Sequence, residues 1–189
     1  MAWTEQHKTQ SRERIVDSAA QLFTQLGFDS VSIDDVMQAA GLTRGAFYAH
    51  FKNKAELYQC AIIAGAKQAK AVLERAEDFS VLSMAKHYLR IGEANQPVCF
   101  CPLAFFVTDM TQRDSNIRNT YTQALKGYIE ILESMALSPD KARQSAVMMI
   151  GGLALSRAIT DELLREDLLQ SCLAGVRVLV AQSTEPAEA

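Results

Sequence analysis

Apolar residues recur along most of the chain at the three-to-four-residue spacing of an amphipathic helix. The first strong stripe occupies positions i, i+4, i+7, i+8 and i+11 of residues 15–26 and stops at Gly27. A shorter stripe over residues 33–40 stops at Gly41. No stretch alternates apolar and polar residues with the period of two that a half-buried strand requires. The pattern therefore predicts an all-α fold.

Start signals for further helices are hydroxyl or amide N-caps, in two cases with an acid three residues later. They are Ser32 with Asp35, Thr43, Asn53 with Glu56, and Ser138 before Pro139. Thr43 predicts a helix that runs to about Phe51. Six further helices are predicted near residues 54–77, 80–94, 102–112, 115–136, 139–160 and 164–182. With the two stripes and the helix at Thr43, the total is about nine helices.

Composition bounds the class of protein. The 189 residues are 49% hydrophobic and 22% charged with a net charge of −3, which suits one or two folded domains and excludes wholesale disorder. The first residues lack the apolar segment of a secretory signal, and the longest proline-free apolar runs are too short to cross a membrane. The four cysteines then predict reduced thiols in a cytoplasmic protein without a membrane partner.

Two short helices joined at Gly41 behind a longer helix form a helix-turn-helix pattern. Residues 42–54 contain Arg44, Lys52 and Lys54 but no carboxylate, which suits phosphate oxygens. The remaining cations of the first 60 residues lie in residues 8–14, so the two basic clusters could flank one DNA-facing surface. An ordinary helical hairpin with a solvated charged face fits the spacing equally well.

The residues around this turn resemble a known family. Residues 41–57 read GLTRGAFYAHFKNKAEL and resemble the DNA-binding signature of the tetracycline-repressor (TetR) family. The segments AAQLF at 19–23, GF at 27–28 and SIDDV at 32–36 match the usual approach to it. The resemblance covers about residues 10–60. It implies a homodimeric transcription regulator, usually a repressor, that is not an enzyme and needs no cofactor.

The resemblance also implies an organisation and a set of DNA contacts. We expect a DNA-binding domain in residues 1–53, an effector-binding and dimerisation domain in 54–182, and a flexible tail in 183–189. Arg44 is the candidate for reading guanine, Gly45 would let the backbone approach a base, and Ala46 could touch a thymine methyl group. The expected DNA contacts are Ser32, Thr43, Arg44, Gly45, Ala46, Tyr48, His50, Lys52 and Lys54.

Aromatic and thioether side chains are abundant in the middle of the chain. They predict either plain core or an apolar pocket for a small hydrophobic effector, in which His87, Thr108 and Tyr121 are possible polar anchors. The candidate pocket residues are Met84, His87, Tyr88, Phe100, Phe105, Phe106, Thr108, Met110 and Tyr121.

Cys99 and Cys101 stand two residues apart, and Cys101 precedes a predicted helix start at Pro102. A helix dipole there could lower the pKa of a thiol and expose it to electrophiles or oxidants. Residues 101–118 weakly resemble a branch of the same family, in which some members carry a cysteine here and some respond to reactive compounds. Two inert buried cysteines are the alternative. A metal site with His87 lacks a fourth ligand, so we expect no metal.

The last two helices are apolar enough to predict burial against a second copy of the chain. Gly151 and Gly152 would let another backbone approach closely. The expected interface residues are Val147, Ile150, Gly151, Ala154, Leu155, Ala158, Leu169, Leu173, Val176 and Val180. Such a dimer would place two recognition helices on a near-palindromic operator. Two other functions stay open: a helical scaffold without DNA affinity, and a thiol enzyme that uses Cys99 or Cys101 with His87 as base.

Overall fold

The chain folds into helices throughout the part that a computed structural model describes, residues 5–74, 79–89 and 101–184. Within these ranges there is no strand, which confirms the all-α prediction, and no helix is both long and apolar enough to span a membrane. The helices are α1 (Glu5–Leu26), α2 (Ile33–Ala39), α3 (Arg44–Phe47), α4 (Lys54–Glu74), α5 (Val81–Leu89), α6 (Pro102–Phe105), a 3-10 turn (Asp109–Gln112), α7 (Ser115–Ser134), α8 (Pro139–Ala158) and α9 (Glu162–Thr184).

Local signals fix the boundaries of the first helices. Asp35 N–H donates to the Ser32 hydroxyl at 3.1 Å and Ser32 N–H donates to the Asp35 carboxylate at 2.8 Å, which confirms the capping box. Gly27 follows α1 with a φ angle of +81°, and Gly41 follows α2 with a φ angle of +63°. Both adopt the left-handed conformation that favours glycine at the end of a helix. Glu56 N–H donates to the side chain of Asn53 at 2.8 Å, so the predicted start of α4 is also confirmed.

Three predicted boundaries were wrong. The helix expected to reach Phe51 ends at Phe47, and residues 48–50 form turns. The segment 102–112 divides into α6 and the 3-10 turn, a bend that carries Phe106 and Met110 into the core around the helix-turn-helix. Helix α9 continues to Thr184, so residues 183 and 184 belong to a helix and not to a tail. The predicted helical residues 75–77 and 90–94, and the tail residues 185–189, lie outside the described ranges.

The described residues form two hydrophobic cores, and Phe105, Tyr121 and Ala124 pack against both. The first surrounds α1, α2 and α3 and includes Leu57, Tyr58, Ala61 and Ile62 of α4, so it continues beyond the predicted domain boundary at residue 53. The second lies among α5, α6, α7, α8 and α9. Helices α8 and α9 pack closely along their length, and α4 lies against α7. Helix α4 is thus the element that joins the helix-turn-helix to the larger helical unit.

Tyr58 stands at the junction between the two units. Its ring contacts Phe23 at 4.9 Å, Phe28 at 4.8 Å and Phe106 at 5.0 Å between ring centroids. Its hydroxyl donates to the Asp109 carboxylate at 2.6 Å. Aromatic packing from both sides, together with this bond, ties the end of α1 and the start of α4 to the 3-10 turn.

Candidate DNA-binding surface and effector cavity

Helix α3 is attached to the first core by a single large side chain. Phe47 is fully buried and contacts the rings of Tyr48 and Phe51 at 5.2 and 5.6 Å. Arg44 and Gly45 are exposed on the opposite side, and Tyr48 is 59% exposed. A Cβ added to Gly45 would meet no atom within 4 Å, so this side of α3 is open. Because Phe47 fixes one face of α3 against the core, the face with Arg44 and Gly45 lies in solvent.

Arg44 lies between two polar neighbours. Its Nη1 donates to Asp34 Oδ2 on α2 at 2.5 Å. The pKa of Arg44 is raised above its ordinary value, first by the Tyr48 hydroxyl and then by the negative charge of Asp34. The guanidinium is consequently a permanent cation that is oriented by its own domain.

His50 marks the place where the two basic clusters approach each other. It is half-buried beside Phe51, with ring centroids 6.2 Å apart. Burial lowers the pKa of His50, and the positive charges of Lys8 and Arg12 lower it further. Arg12 Cζ lies 5.1 Å from the Phe51 ring centroid, so a cation of α1 lies beside this turn, and the shared DNA-facing surface stays a prediction.

Several predicted DNA contacts have partners inside the protein. Lys54 Nζ lies 4.2 Å from the Phe28 ring centroid, and burial lowers its pKa. Ala46 packs on the first core, and the Ser32 hydroxyl donates to Asp35 at 2.7 Å. Thr43 occupies the N-cap position of α3, but its side chain makes no capping hydrogen bond, so that part of its predicted role was wrong. The DNA contacts of these four residues stay predictions.

A cavity of about 690 Å³ lies between α4, α5, α6 and α7, and Leu153 of α8 reaches it. Four of the predicted pocket residues line it, namely Met84, His87, Tyr88 and Cys101. Helices α4 and α7 contribute further walls, which the list of candidate pocket residues does not include. These comprise Ile63, Ala66, Lys67, Ala69 and Lys70 of α4, and Thr120, Gln123, Ala124, Gly127, Tyr128, Glu130, Ile131 and Ser134 of α7. The volume is in the usual range for a small-molecule site, roughly 300–1,000 Å³.

The other predicted pocket residues lie elsewhere. Phe106 and Met110 belong to the first core, and Thr108 is exposed. Phe105 lies under the guanidinium of Arg157 at 3.7 Å, and the Tyr121 hydroxyl donates to the carbonyl of Leu103 at 2.6 Å. These five residues do not line the cavity, because bulk and aromaticity equally suit core packing. Cys99 and Phe100 lie outside the described residues.

Cys101 is buried and lies near three phenols. It occupies the N-cap position of α6, before Pro102. Burial raises the pKa values of Tyr88, Tyr121 and Tyr128, and the nearby Cys101 raises them further. The three phenols therefore keep their protons at neutral pH. In the described ranges no three His, Cys, Asp or Glu side chains come together as a metal site would require.

The apolar surface of α8 and α9 is divided between core and solvent. Ile150, Leu169, Leu173 and Val176 are buried in the second core, and their part in a dimer interface stays a prediction. Three of the predicted interface residues are exposed, namely Val147, Leu155 and Ala158, and three more are half-buried, namely Gly151, Ala154 and Val180. The exposed surface also contains Leu163, Leu164 and Val178, which the prediction did not include.

The two adjacent glycines of α8 also differ in whether they face the core or open space. A Cβ on Gly152 would lie 2.6 Å from Cys172 Sγ on α9, whereas a Cβ on Gly151 would meet no atom within 4 Å. Gly152 therefore allows the close contact of α8 with α9 in one protomer, and of the two it is Gly151 that faces open space.

These features define a class of protein: a helix-turn-helix unit joined through one long helix to a helical domain that encloses a ligand-sized cavity. Residues 15–60 match the family model described as bacterial regulatory proteins, tetR family. The chain is 46% identical over 55 residues to the HTH-type transcriptional regulator AcrR of Shigella flexneri, covering 29% of this chain and 26% of that protein. It is 39% identical over 56 residues to the HTH-type transcriptional regulator TtgR of Pseudomonas putida, covering 30% and 27%. The match spans about a quarter of the length of these relatives.

Solved structures extend the likeness to the whole fold. The reduced form of E. coli NemR superposes with a TM-score of 0.72 at 16% identity over 90% of this chain and 96% of that one. A TetR-family regulator from Cytophaga hutchinsonii gives a TM-score of 0.73 at 19% identity over 95% and 98%. The family match therefore covers the N-terminal part of the chain, residues 15–60, and the solved structures confirm the expected fold, a helix-turn-helix followed by a helical C-terminal domain.

Proposed function

We propose that the protein is a sequence-specific DNA-binding regulator of transcription that acts as a repressor. The observation that carries the proposal is the open face of α3 and the turn after it, where Arg44, Gly45 and Tyr48 are exposed in a segment without a carboxylate. The matching relatives are named as transcriptional regulators, and the match falls on this part of the chain.

Each exposed group of this surface has a chemical role in the proposal. Arg44 donates two N–H groups to O6 and N7 of guanine, and Gly45 lets the backbone approach the base edge. Tyr48, Lys52 and His50 bind phosphates and set the register without reading sequence. A two-fold dimer requires half-sites one or more helical turns apart, so the operator is near-palindromic.

Fluorescence anisotropy with DNA from immediately upstream of the gene, at two salt concentrations, tests this proposal. Arg44→Ala is expected to weaken binding to the preferred site about 5- to 150-fold and to relax the preference at one base. Tyr48→Phe is expected to weaken binding to every sequence alike. Arg143→Ala removes an exposed cation from α8 and serves as the control. Equal losses on preferred and random DNA for Arg44→Ala contradict the base-reading role.

The proposed effector is a small, mainly apolar molecule that enters the cavity between α4 and α7. The buried phenol of Tyr88 is the donor for an acceptor atom of the ligand, and Cys101 is the thiol that a reactive molecule would meet there. Reaction of Cys101 with iodoacetamide, followed by peptide mass spectrometry, tests the second point. A rate no faster than that of free cysteine rules out a sensor thiol, and Cys60 on α4 is the internal comparison.

The proposed dimer uses the exposed strip of α8 and α9. Leu155 is 56% exposed on this strip, and Leu26 is equally exposed at the end of α1. Leu155→Glu is expected to shift the protein toward monomer in analytical ultracentrifugation, whereas Leu26→Glu is expected to leave the dimer intact. A dimer that survives Leu155→Glu places the interface elsewhere.

A further inference from the structure

The side chain proposed to read a base is held by an acidic residue of the neighbouring helix. Asp34 Oδ2 accepts from Arg44 Nη1 at 2.5 Å, and both side chains are exposed, at 58% and 61% respectively. Asp34 lies in the first turn of α2, where Ser32 and Asp35 already make the capping box. The carboxylate of Asp34 takes no part in this capping box, and its side chain instead pairs with Arg44.

The pair changes which DNA groups Arg44 can bind. A guanidinium has five N–H donors, and Asp34 engages one of its nitrogens, so a neutral acceptor pair such as guanine O6 and N7 can still be bound. A phosphate oxygen that approached Arg44 would be repelled by the negative charge of the adjacent Asp34 carboxylate. The carboxylate also limits the rotamers of a long side chain, which reduces the entropy lost when a base is bound.

We propose that Asp34 is a specificity-determining residue, which positions Arg44 for a base edge and opposes its use as a general phosphate ligand. The inference rests on the proposed function and adds a residue on α2 to the readout made by α3. Asp34 acts through Arg44, and it is a positioning residue in this sense.

Asp34→Asn tests the proposal because it removes the charge and keeps the shape. With the guanidinium released, binding to random DNA is expected to strengthen. The slope of log affinity against log salt is expected to steepen by about 0.9 for each additional phosphate contact. The preferred site gains less, since Arg44 loses its orientation there. The ratio of preferred to random affinity is expected to fall by about fivefold, a part of what one bidentate base contact supplies.

Three variants separate this effect from a general loss of negative charge. Glu13→Gln removes the same charge from an exposed position of α1 and is expected to leave the ratio unchanged. Asp34→Glu keeps the carboxylate and is expected to restore most of the ratio. In an Arg44→Ala background, Asp34→Asn is expected to have no more effect than Glu13→Gln.

The probe is a duplex that the wild-type chain selects from a random pool, compared with a scrambled duplex of the same composition. A pool without enrichment overturns the proposed function and this inference together. Enrichment by the wild type with an unchanged ratio in Asp34→Asn overturns the inference alone, as does an equal effect of Asp34→Asn with and without Arg44. Circular dichroism of each variant confirms that α2 still forms.

Discussion

Arg113 joins the helix-turn-helix to the rest of the protein, and its removal makes a quantitative prediction. Its guanidinium makes two hydrogen bonds to Asp29, at 3.1 and 2.6 Å, lies 3.1 Å from Asp109, and covers the Phe28 ring at 4.6 Å. Phe28 and Asp29 lie between α1 and α2, whereas Arg113 and Asp109 belong to the segment before α7. The Arg113 side chain is only 9% exposed.

The expected loss comes from the less exposed contacts. Asp29 is 74% exposed, so water replaces much of what its carboxylate gains from the pair. Asp109 is 20% exposed; its carboxylate pairs with Arg113, and its carbonyl accepts from Arg113 Nε at 3.3 Å. A hydrogen bond to a charged group in such a place contributes about 1.5–3 kcal/mol. The contact with Phe28 adds about 0.5–1 kcal/mol. Arg113→Ala is therefore expected to destabilise the fold by about 2–4 kcal/mol, which lowers Tm by about 4–16 °C in a chain of this size.

Thermal unfolding followed by circular dichroism measures this, at one fixed protomer concentration because a dimer unfolds with a concentration-dependent Tm. Arg143→Ala is the matched control, since its pair with Asp140 is 55% and 83% exposed and is expected to change stability by less than about 0.5 kcal/mol. Asp109→Asn is expected to cost more than Asp29→Asn. The reasoning is refuted if Arg113→Ala unfolds with the control, or if the two aspartates rank in the opposite order.

Two further predictions concern a close helix contact and a titratable group. Gly152→Ala brings a Cβ to 2.6 Å from Cys172 Sγ, so its free energy of unfolding in denaturant is expected to fall by about 1–3 kcal/mol. Gly127→Ala places a Cβ with no atom within 4 Å, so its free energy of unfolding is expected to rise by about 0.5–1 kcal/mol. His50 has a lowered pKa and a bound phosphate would raise it, so DNA binding is expected to take up protons and strengthen as pH falls from about 8 toward about 6. Anisotropy of the wild type and His50→Gln checks this, and equal pH profiles would refute it.

Local sequence signals predicted the helix-turn-helix because its boundaries are set by neighbouring residues. The capping box at Ser32 and Asp35 and the glycines at 27 and 41 act within a few residues of where they stand. The end of α3 is different. Its last helical residue is Phe47, and residues 48–50 turn so that Phe51 also reaches the buried core. That geometry depends on packing between distant parts of the chain, which the helical spacing of Phe47 and Phe51 does not reveal.

The cavity was only partly predictable because it depends on small side chains in its walls and not on large ones. Sequence reasoning selected large aromatic side chains, and Phe106 and Met110 instead fill the first core. The space arises where α4 and α7 carry small residues on facing sides, such as Ala66 and Gly127. A pattern of small residues is visible in the sequence, but it indicates a cavity only when the facing helices are known. The same holds for α8, whose apolar residues point both inward and outward.

Helix α4 connects the cavity to the DNA-binding surface by direct contact. Ile62 is fully buried in the first core, and the next residue, Ile63, lines the cavity. One turn earlier, Tyr58 binds Asp109, which also pairs with Arg113. A molecule that displaces the cavity wall of α4 therefore acts on the helix that carries the junction to α1 and α2.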